Sequence, residues 1–244
     1  HPDPTEMKNL TSLIAAIKEH QADFGMGWDG DADRIGVVDE KGAVIFGDML
    51  LLIFGREILK DKPGATIIGD VKCSGRLFDD LNERGANAIM WKTGHSLIKN
   101  QLRETGGELG GEMSGHIFFK HRYFGFDDAI YSSVRLVEIV SKIEGPISSL
   151  LSDVPKMMST PEIRCDCPEE IKFKIPELAK EAFSEFEVTT IDGVRITFPH
   201  GWGLVRASNT QPVLVMRFEA DTEALLNEYQ TLVTERIEQI KRDL

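Results

Sequence analysis

Apolar residues recur at helical spacing at Leu10, Leu13, Ile14 and Ile17, which predicts a helix over 9–20. Phe24–Trp28 is short and apolar and reads as a strand. A polar loop follows, and Ile35–Val38 and Ala43–Phe46 then form a hairpin about the turn Glu40-Lys41-Gly42. From Asp48 to Ile143 the pattern alternates. Helices are expected over Asp48–Leu59, Leu77–Arg84, His95–Glu104 and Phe126–Ile143, with strands at Thr66–Asp70, Ala86–Trp91 and Glu108–Gly111. Asp127 and Asp128 fall in the first turn of the last helix, where they suit its dipole. Strand–helix alternation implies parallel pairing with helices on both faces, and ligands then bind beyond the carboxyl ends of the strands. Three polar segments fall there: Asp70–Arg76, Lys92–Lys99 and Gly111–His116.

Residues 145–161 carry Pro146, Pro155, Pro161 and several serines, and are expected to be a linker. Beyond them the order is a strand (Glu162–Cys167), a helix (Glu169–Phe183) and a strand (Val188–Ile191). An Asp192-Gly193 turn leads to strands Val194–Phe198, Gly203–Ala207 and Val213–Glu219, and a helix Thr222–Arg242 ends the chain. The fold class is therefore α/β, a mostly parallel sheet domain with helices on both faces, plus a C-terminal α+β domain with a mainly antiparallel sheet.

Composition narrows the function. The 244 residues include 28 Lys+Arg and 40 Asp+Glu, a net charge of −12, with 41% hydrophobic and 28% charged residues. That is ordinary for a folded domain and excludes a disordered chain. No basic cluster suits nucleic acid, and no run approaches the roughly 18 apolar residues of a membrane helix. Cys73, Cys165 and Cys167 are too few and odd in number for a disulfide framework, and Cys165-x-Cys167 lacks the second pair that structural zinc requires. A reducing, cytoplasmic setting fits. The chain opens His1-Pro2-Asp3-Pro4 without Met or a signal pattern, so a piece of a longer polypeptide is expected.

The sharpest chemical motif is Asp29-Gly-Asp31-Ala-Asp33-Arg34. Three carboxylates at alternate positions of a tight loop can converge on a hard cation such as Mg²⁺, with Arg34 as a phosphate donor beside it. A solvated acidic loop is the plain alternative. An EF-hand loop is another, since Glu40 stands twelfth from Asp29, but Arg34 occupies the place that loop gives to Gly.

Gly111-Glu112-Met113-Ser114-Gly115-His116 can read hydroxyls, or be an ordinary glycine-rich turn. His95, in Trp91-Lys92-Thr93-Gly94-His95, can act as acid or base, or be a surface histidine. Arg206-Ala-Ser208-Asn209-Thr210, with Arg217 on the next strand, can surround a phosphate, or be a polar hairpin loop. No nucleotide-binding glycine motif is present.

In this order, Asp29–Arg34, Trp91–His95, Gly111–His116 and Gly203–Thr210 resemble the α-D-phosphohexomutase family. The likeness is to its bacterial phosphomannomutase/phosphoglucomutase branch and covers essentially the whole chain. It implies four domains around a cleft: residues 1–42 as the end of the second, 43–155 as the third and 156–244 as the fourth. The family's phosphoserine lies in the first domain, so the resemblance implies missing N-terminal domains and a chain inactive alone. It implies interconversion of hexose 1-phosphate and 6-phosphate, on mannose and glucose, through a hexose 1,6-bisphosphate intermediate.

By the same resemblance, Asp29, Asp31 and Asp33 are Mg²⁺ ligands, and Arg34, Lys72, His95 and His116 are catalytic, with His95 the candidate acid/base. Glu112 and Ser114 read sugar hydroxyls. Arg206, Ser208, Asn209, Thr210 and Arg217 bind the non-reacting phosphate. The partners implied are hexose phosphates and the missing domains, with no nucleic acid or membrane. Two other classes remain open at this point: a non-catalytic sugar-phosphate-binding module, and a calcium-binding interaction domain.

Overall fold

The computed structural model describes residues 2–244. The chain divides into two compact units, His1–Pro155 and Lys156–Leu244. In the first, α1 (Met7–His20) precedes an antiparallel sheet of β1 (Phe24–Trp28), β2 (Ile35–Asp39) and β3 (Val44–Ile45). Leu10 and Ile17 of α1 are buried, as their spacing requires. Next come α2 (Gly47–Asp61), β4 (Thr66–Asp70), α3 (Gly75–Glu83), β5 (Asn87–Trp91), α4 (His95–Glu104), β6 (Leu109–Gly111), β7 (Ile117–Phe119) and α5 (Ala129–Val140).

The second sheet has the order β5-β4-β6-β7. β5 and β6 run parallel to β4, and the short β7 is antiparallel to β6. Helix α2 is the centre of the main core. Leu50, Leu51, Leu52, Phe54 and Ile58 are all buried, because α2 has neighbours on every side. Each such burial contributes roughly 1.5–3 kcal/mol.

In the second unit an antiparallel sheet follows the order β10-β11-β12-β13-β8, with β9 also pairing β13. The strands are β8 (Met158–Ser159), β9 (Ile163–Asp166), β10 (Glu187–Thr189), β11 (Val194–Phe198), β12 (Gly201–Ala207) and β13 (Val213–Ala220). Helices α7 (Lys174–Ala182) and α8 (Glu223–Arg242) cover the face that presents Val194, Ile196, Val205, Leu214, Met216 and Phe218. The register puts Arg195, Leu204 and Arg217 in one row of the other face, and Thr197, Trp202 and Glu219 in the next.

Three expectations change. Helix α5 begins at Ala129, not Phe126, because Asp128 is its cap: the carboxylate accepts from Tyr131 N at 2.8 Å. Asp127 therefore lies outside the helix and bridges to Phe118. The expected helix over 169–183 is broken into α6 (Glu169–Lys172) and α7, since Pro176 has no N–H to return to Lys172. The stretch 145–161 is not plain linker: Ile147–Leu151 form a 3₁₀ turn with Ile147 buried, and β8 joins β13. All three cysteines are free. Among the described residues, no helix is long and apolar enough to cross a membrane.

Candidate functional site

The acidic loop spans the turn between β1 and β2 and folds on its own first carboxylate. Asp29 Oδ1 accepts from the Asp33 and Arg34 amides, both at 3.1 Å, and Oδ2 accepts from Arg34 Nε at 2.7 Å. Arg34 is held from the other side by Asp3, 2.7 Å away. Burial alone would raise the Asp29 carboxyl, but these donors hold it below the usual carboxylate range.

Oxygens of Asp29, Asp31 and Asp33 lie within 4.8 Å of one another. Burial, opposed by His116 and reinforced by Asp29 and Asp127, pushes Asp33 up to about 6. An oxygen donor set whose members repel in this way fits a hard divalent cation. The EF-hand reading fails on topology: strands flank the loop, and Glu40 is bonded to Ser148.

Main-chain bonds tie this loop to the segment after β6. Ile35 N donates to Gly115 O at 3.1 Å, and Ala129 N, at the start of α5, donates to Ala32 O at 3.0 Å. Gly115 has φ +97°, and a Cβ there would lie 2.4 Å from Ile35 O, so only glycine permits the approach. His116 consequently faces the acidic loop. Its Nδ1 is 3.0 Å from Asp127 Oδ2 and 3.7 Å from Asp33 Oδ2. Burial opposes the charged ring, yet Asp127, Glu112 and Asp33 together raise its pKa. The His95 ring is 6.0 Å from that of His116.

Glu112 is buried. It accepts from Gly94 N at 3.0 Å and from the Ser114 hydroxyl at 3.2 Å. Burial and neighbouring Asp70 raise its pKa, while His116, Lys72 and the Gly94 amide pull it down. Lys72 is buried, with Nζ 4.0 Å from Asp70 Oδ2. The loops after β4, β5 and β6 thus meet at one edge, as parallel strands with a common direction dictate.

In the second unit, Arg206 and the loop after it form a separate cluster. Asp192 accepts from Arg206 Nε at 3.1 Å. Ser208 is buried, and its Oγ accepts from the amides of Thr210 (3.3 Å) and Gln211 (3.2 Å), which closes the turn. Asn209 and Thr210 are exposed at its tip. Arg217 is a diagonal neighbour of Arg206 on the sheet. The Trp202 ring has the guanidinium of Arg217 at 5.8 Å and that of Arg195 at 3.7 Å, and its Nε1 donates to Glu219 at 2.5 Å.

Family models describe what this order of loops belongs to. Domain III of phosphoglucomutase/phosphomannomutase, an alpha/beta/alpha domain, matches residues 46–158; the C-terminal domain matches 162–236; and domain II, also alpha/beta/alpha, matches 1–42. The chain belongs to the phosphoglucomutase/phosphomannomutase family. The phosphomannomutase/phosphoglucomutase of Pseudomonas syringae pv. tomato is 51% identical over 100% of this chain and 53% of its own length. A Neisseria meningitidis phosphoglucomutase is 50% identical over 94% of this chain and 51% of its own.

The crystal structure of a family protein from Burkholderia thailandensis superposes with a TM-score of 0.90 at 45% identity, over 99% of this chain and 52% of that one. The chain spans about half the length of the curated relatives it matches. More distant fold neighbours include an Aspergillus fumigatus N-acetylphosphoglucosamine mutase, at 15–16% identity. It was solved once with glucose 1,6-bisphosphate (TM-score 0.67, over 89% of this chain and 48% of that one) and once with GlcNAc-6P and magnesium (0.65, over 94% and 52%).

Within this family member, the residues singled out from sequence fall into two groups. Asp29, Asp31, Asp33, Arg34, Lys72, His95, Glu112, Ser114 and His116 gather in the first unit; Arg206, Ser208, Asn209, Thr210 and Arg217 lie in the second. Sequence reasoning gave no site role to Asp3, Asp127, Asp192 and Trp202. Asp127 carried a visible signal, an acid just ahead of an amphipathic run, but it pointed to a helix dipole and not to His116. Asp70 was visible as the head of the polar segment Asp70–Arg76 at a strand end, but not as the partner of two other loops.

Proposed function

We propose that this chain carries the cation, sugar-reading and phosphate-binding loops of a phosphohexomutase that interconverts the 1- and 6-phosphates of mannose and glucose. The observation that carries the reading is the Ile35–Gly115 bond. It sets the three carboxylates beside Glu112, Ser114 and His116, so a cation-held phosphoryl group and a sugar ring have adjoining seats.

Asp29, Asp31 and Asp33 would hold Mg²⁺, which when bound stabilises charge on a transferring phosphoryl group. Arg34 presents its guanidinium at the same place, kept there by Asp29 and Asp3. His116, whose charged form Asp127 favours, offers a second donor to phosphate oxygens. His95, exposed at the start of α4, is free to take and return the proton of the attacking sugar hydroxyl. Glu112 accepts from ring hydroxyls and Ser114 donates or accepts, while His116 and Lys72 oppose the upward pull of burial and Asp70 on the Glu112 carboxyl. Arg206, Ser208, Asn209, Thr210 and Arg217 bind the phosphate that does not react.

Residues 1–42, 43–155 and 156–244 correspond, in this proposal, to the end of the second, the third and the fourth family domains. The phosphoserine that donates to the hexose phosphates and forms the hexose 1,6-bisphosphate lies on N-terminal domains outside this chain. The chain alone therefore binds without turnover, and the longer protein works in the cytoplasm. A purely sugar-phosphate-binding module is the second reading, supported by the chain spanning about half its relatives' length.

The test is an amide-resolved NMR titration with glucose 1-phosphate and Mg²⁺. Saturable shifts at Glu112–His116 and Arg206–Thr210 are expected. A folded chain that shows none at millimolar ligand rejects the ligand class for this chain. Mutase activity on joining the chain to the N-terminal half of a relative separates enzyme from binding module.

A further inference from the structure

Asp70, the last residue of β4, is completely buried. Its carboxylate collects partners from three loops. From its own loop, Cys73 Sγ donates to Oδ1 at 3.1 Å and Lys72 Nζ lies 4.0 Å from Oδ2. From the loop after β5, the Thr93 hydroxyl donates to Oδ2 at 3.1 Å. From the loop after β6, Met113 N donates to Oδ1 at 3.3 Å. Removing a charge from water costs several kcal/mol unless donors replace that water, and here every donor comes from a loop that also carries a site residue. Those loops hold Lys72, then Gly94 and His95, then Glu112 and Ser114. Gly94 N in turn donates to Glu112, so the second and third loops are pinned twice.

We propose that Asp70 is a positioning residue: it locks the three strand-end loops at one spacing, and sugar recognition by Glu112 and Ser114 depends on that spacing. The ligand part of this inference rests on the function proposed above; the loop part does not. A carboxylate is required because both oxygens must accept. An amide of the same volume would present N–H₂ to a hydroxyl or to an ammonium.

The experiment compares the chain with Asp70→Asn, Thr93→Val and the core variant Leu81→Ala by amide-resolved NMR, first without ligand and then with Mg²⁺ and glucose 1-phosphate. Leu81 lies in α3, buried away from these contacts, and reports loss of stability alone. Without ligand, Asp70→Asn is expected to move the amides of Thr93, Gly94 and Met113 while those of β11–β13 stay in place. With ligand, its glucose 1-phosphate affinity is expected to fall about tenfold or more, the scale on which supporting residues act, with Mg²⁺ affinity unchanged. Thr93→Val keeps the carboxylate and is expected to move Gly94 and Met113 by smaller amounts, which serves if Asp70→Asn does not fold. Leu81→Ala is expected to do neither. Unmoved loop amides in both loop variants overturn the proposal, as does an equal affinity loss in Leu81→Ala. A wild-type chain that ignores glucose 1-phosphate overturns the proposed function instead, and the ligand-free spectra still decide whether Asp70 locks the loops.

Discussion

The two units organise polar groups in opposite ways. In the first, carboxylates do the organising: Asp29 closes the acidic loop, Asp48 holds Ser74 N at 2.9 Å, Asp70 gathers three loops, and Asp127 attends His116. In the second, guanidinium groups dominate one sheet face, with Arg195, Arg206 and Arg217 buried together and Trp202 among them. The backbone explains the contrast. Parallel strands end at a common edge, where loops distant in sequence meet and need a shared acceptor to fix them. Antiparallel strands already fix their neighbours through the ladder, so a hairpin loop needs only its own Ser208 to close. The first arrangement suits a cation and hydroxyls, and the second suits an anion.

The strongest way to break this comparison is Gly115→Ala. If the first unit depends on loop-to-loop contacts, a Cβ placed 2.4 Å from Ile35 O at φ +97° removes the main one. The expected cost is about 3 kcal/mol or more, from strain and lost bonds together. Urea unfolding followed at amides of both units checks it, with the loss confined to the first. An equal loss in β11–β13 would show that the variant acts on more than the loop-to-loop contacts of the first unit.

Arg206→Ala probes the other side. If this loop binds phosphate as proposed, removing its buried, Asp192-paired guanidinium is expected to weaken glucose 1-phosphate binding by about 2–4 kcal/mol. The titration should lose its shifts at Ser208–Thr210 while Mg²⁺ binding by the first unit is unchanged. Retained affinity would remove the phosphate role of this loop.

A third comparison lies inside the acidic loop. Asp29 is buried and fully engaged in the turn, whereas Asp31 is exposed. Asp31→Asn is expected to lower Mg²⁺ affinity about tenfold, roughly 1.4 kcal/mol, without changing Tm. Asp29→Asn should lower both, because it also removes the Asp29–Arg34 ion pair. Competition against Mn²⁺, read by its paramagnetic signal, distinguishes a ligand from a loop-builder; identical behaviour of the two variants would contradict the division of labour.

Much of this was legible from residue order alone. Alternating apolar runs give the strands, and the polar residues just after them give Lys72, Thr93–His95 and Glu112–His116. What escaped has a common cause. Asp70 and Asp127 matter through partners 43 and 11 residues away, Met113 and His116 respectively, and no local pattern encodes that. Asp128 lay within the expected helix but proved to be its cap, since an acid at either place suits the same dipole. Pro176 broke the expected helix in a way its spacing allowed, but the apolar periodicity on both sides concealed it.

The acid–base behaviour of the first unit gives the smallest effect and the finest test. Asp33 rises from its ordinary 3.8 to about 6 in the folded chain. Folding without metal thus favours its protonated form. That contribution is whole below about pH 3.8 and is lost as pH climbs through about 6. His116, also raised, acts in the same sense, since its charged form is favoured below its folded pKa. Carboxylates such as Asp80, which burial would raise but Arg56 and Arg84 hold low, act in the opposite sense, so a raw Tm profile mixes the two. The clean quantity is the Tm gain from millimolar Mg²⁺, because only the ionised Asp33 is a good ligand. That gain should be a few degrees at about pH 8 and close to zero at about pH 5, and Asp33→Asn should abolish the difference. A gain independent of pH would show that the cation does not engage Asp33, and the acidic loop would then be a turn built around Asp29 and Arg34 alone.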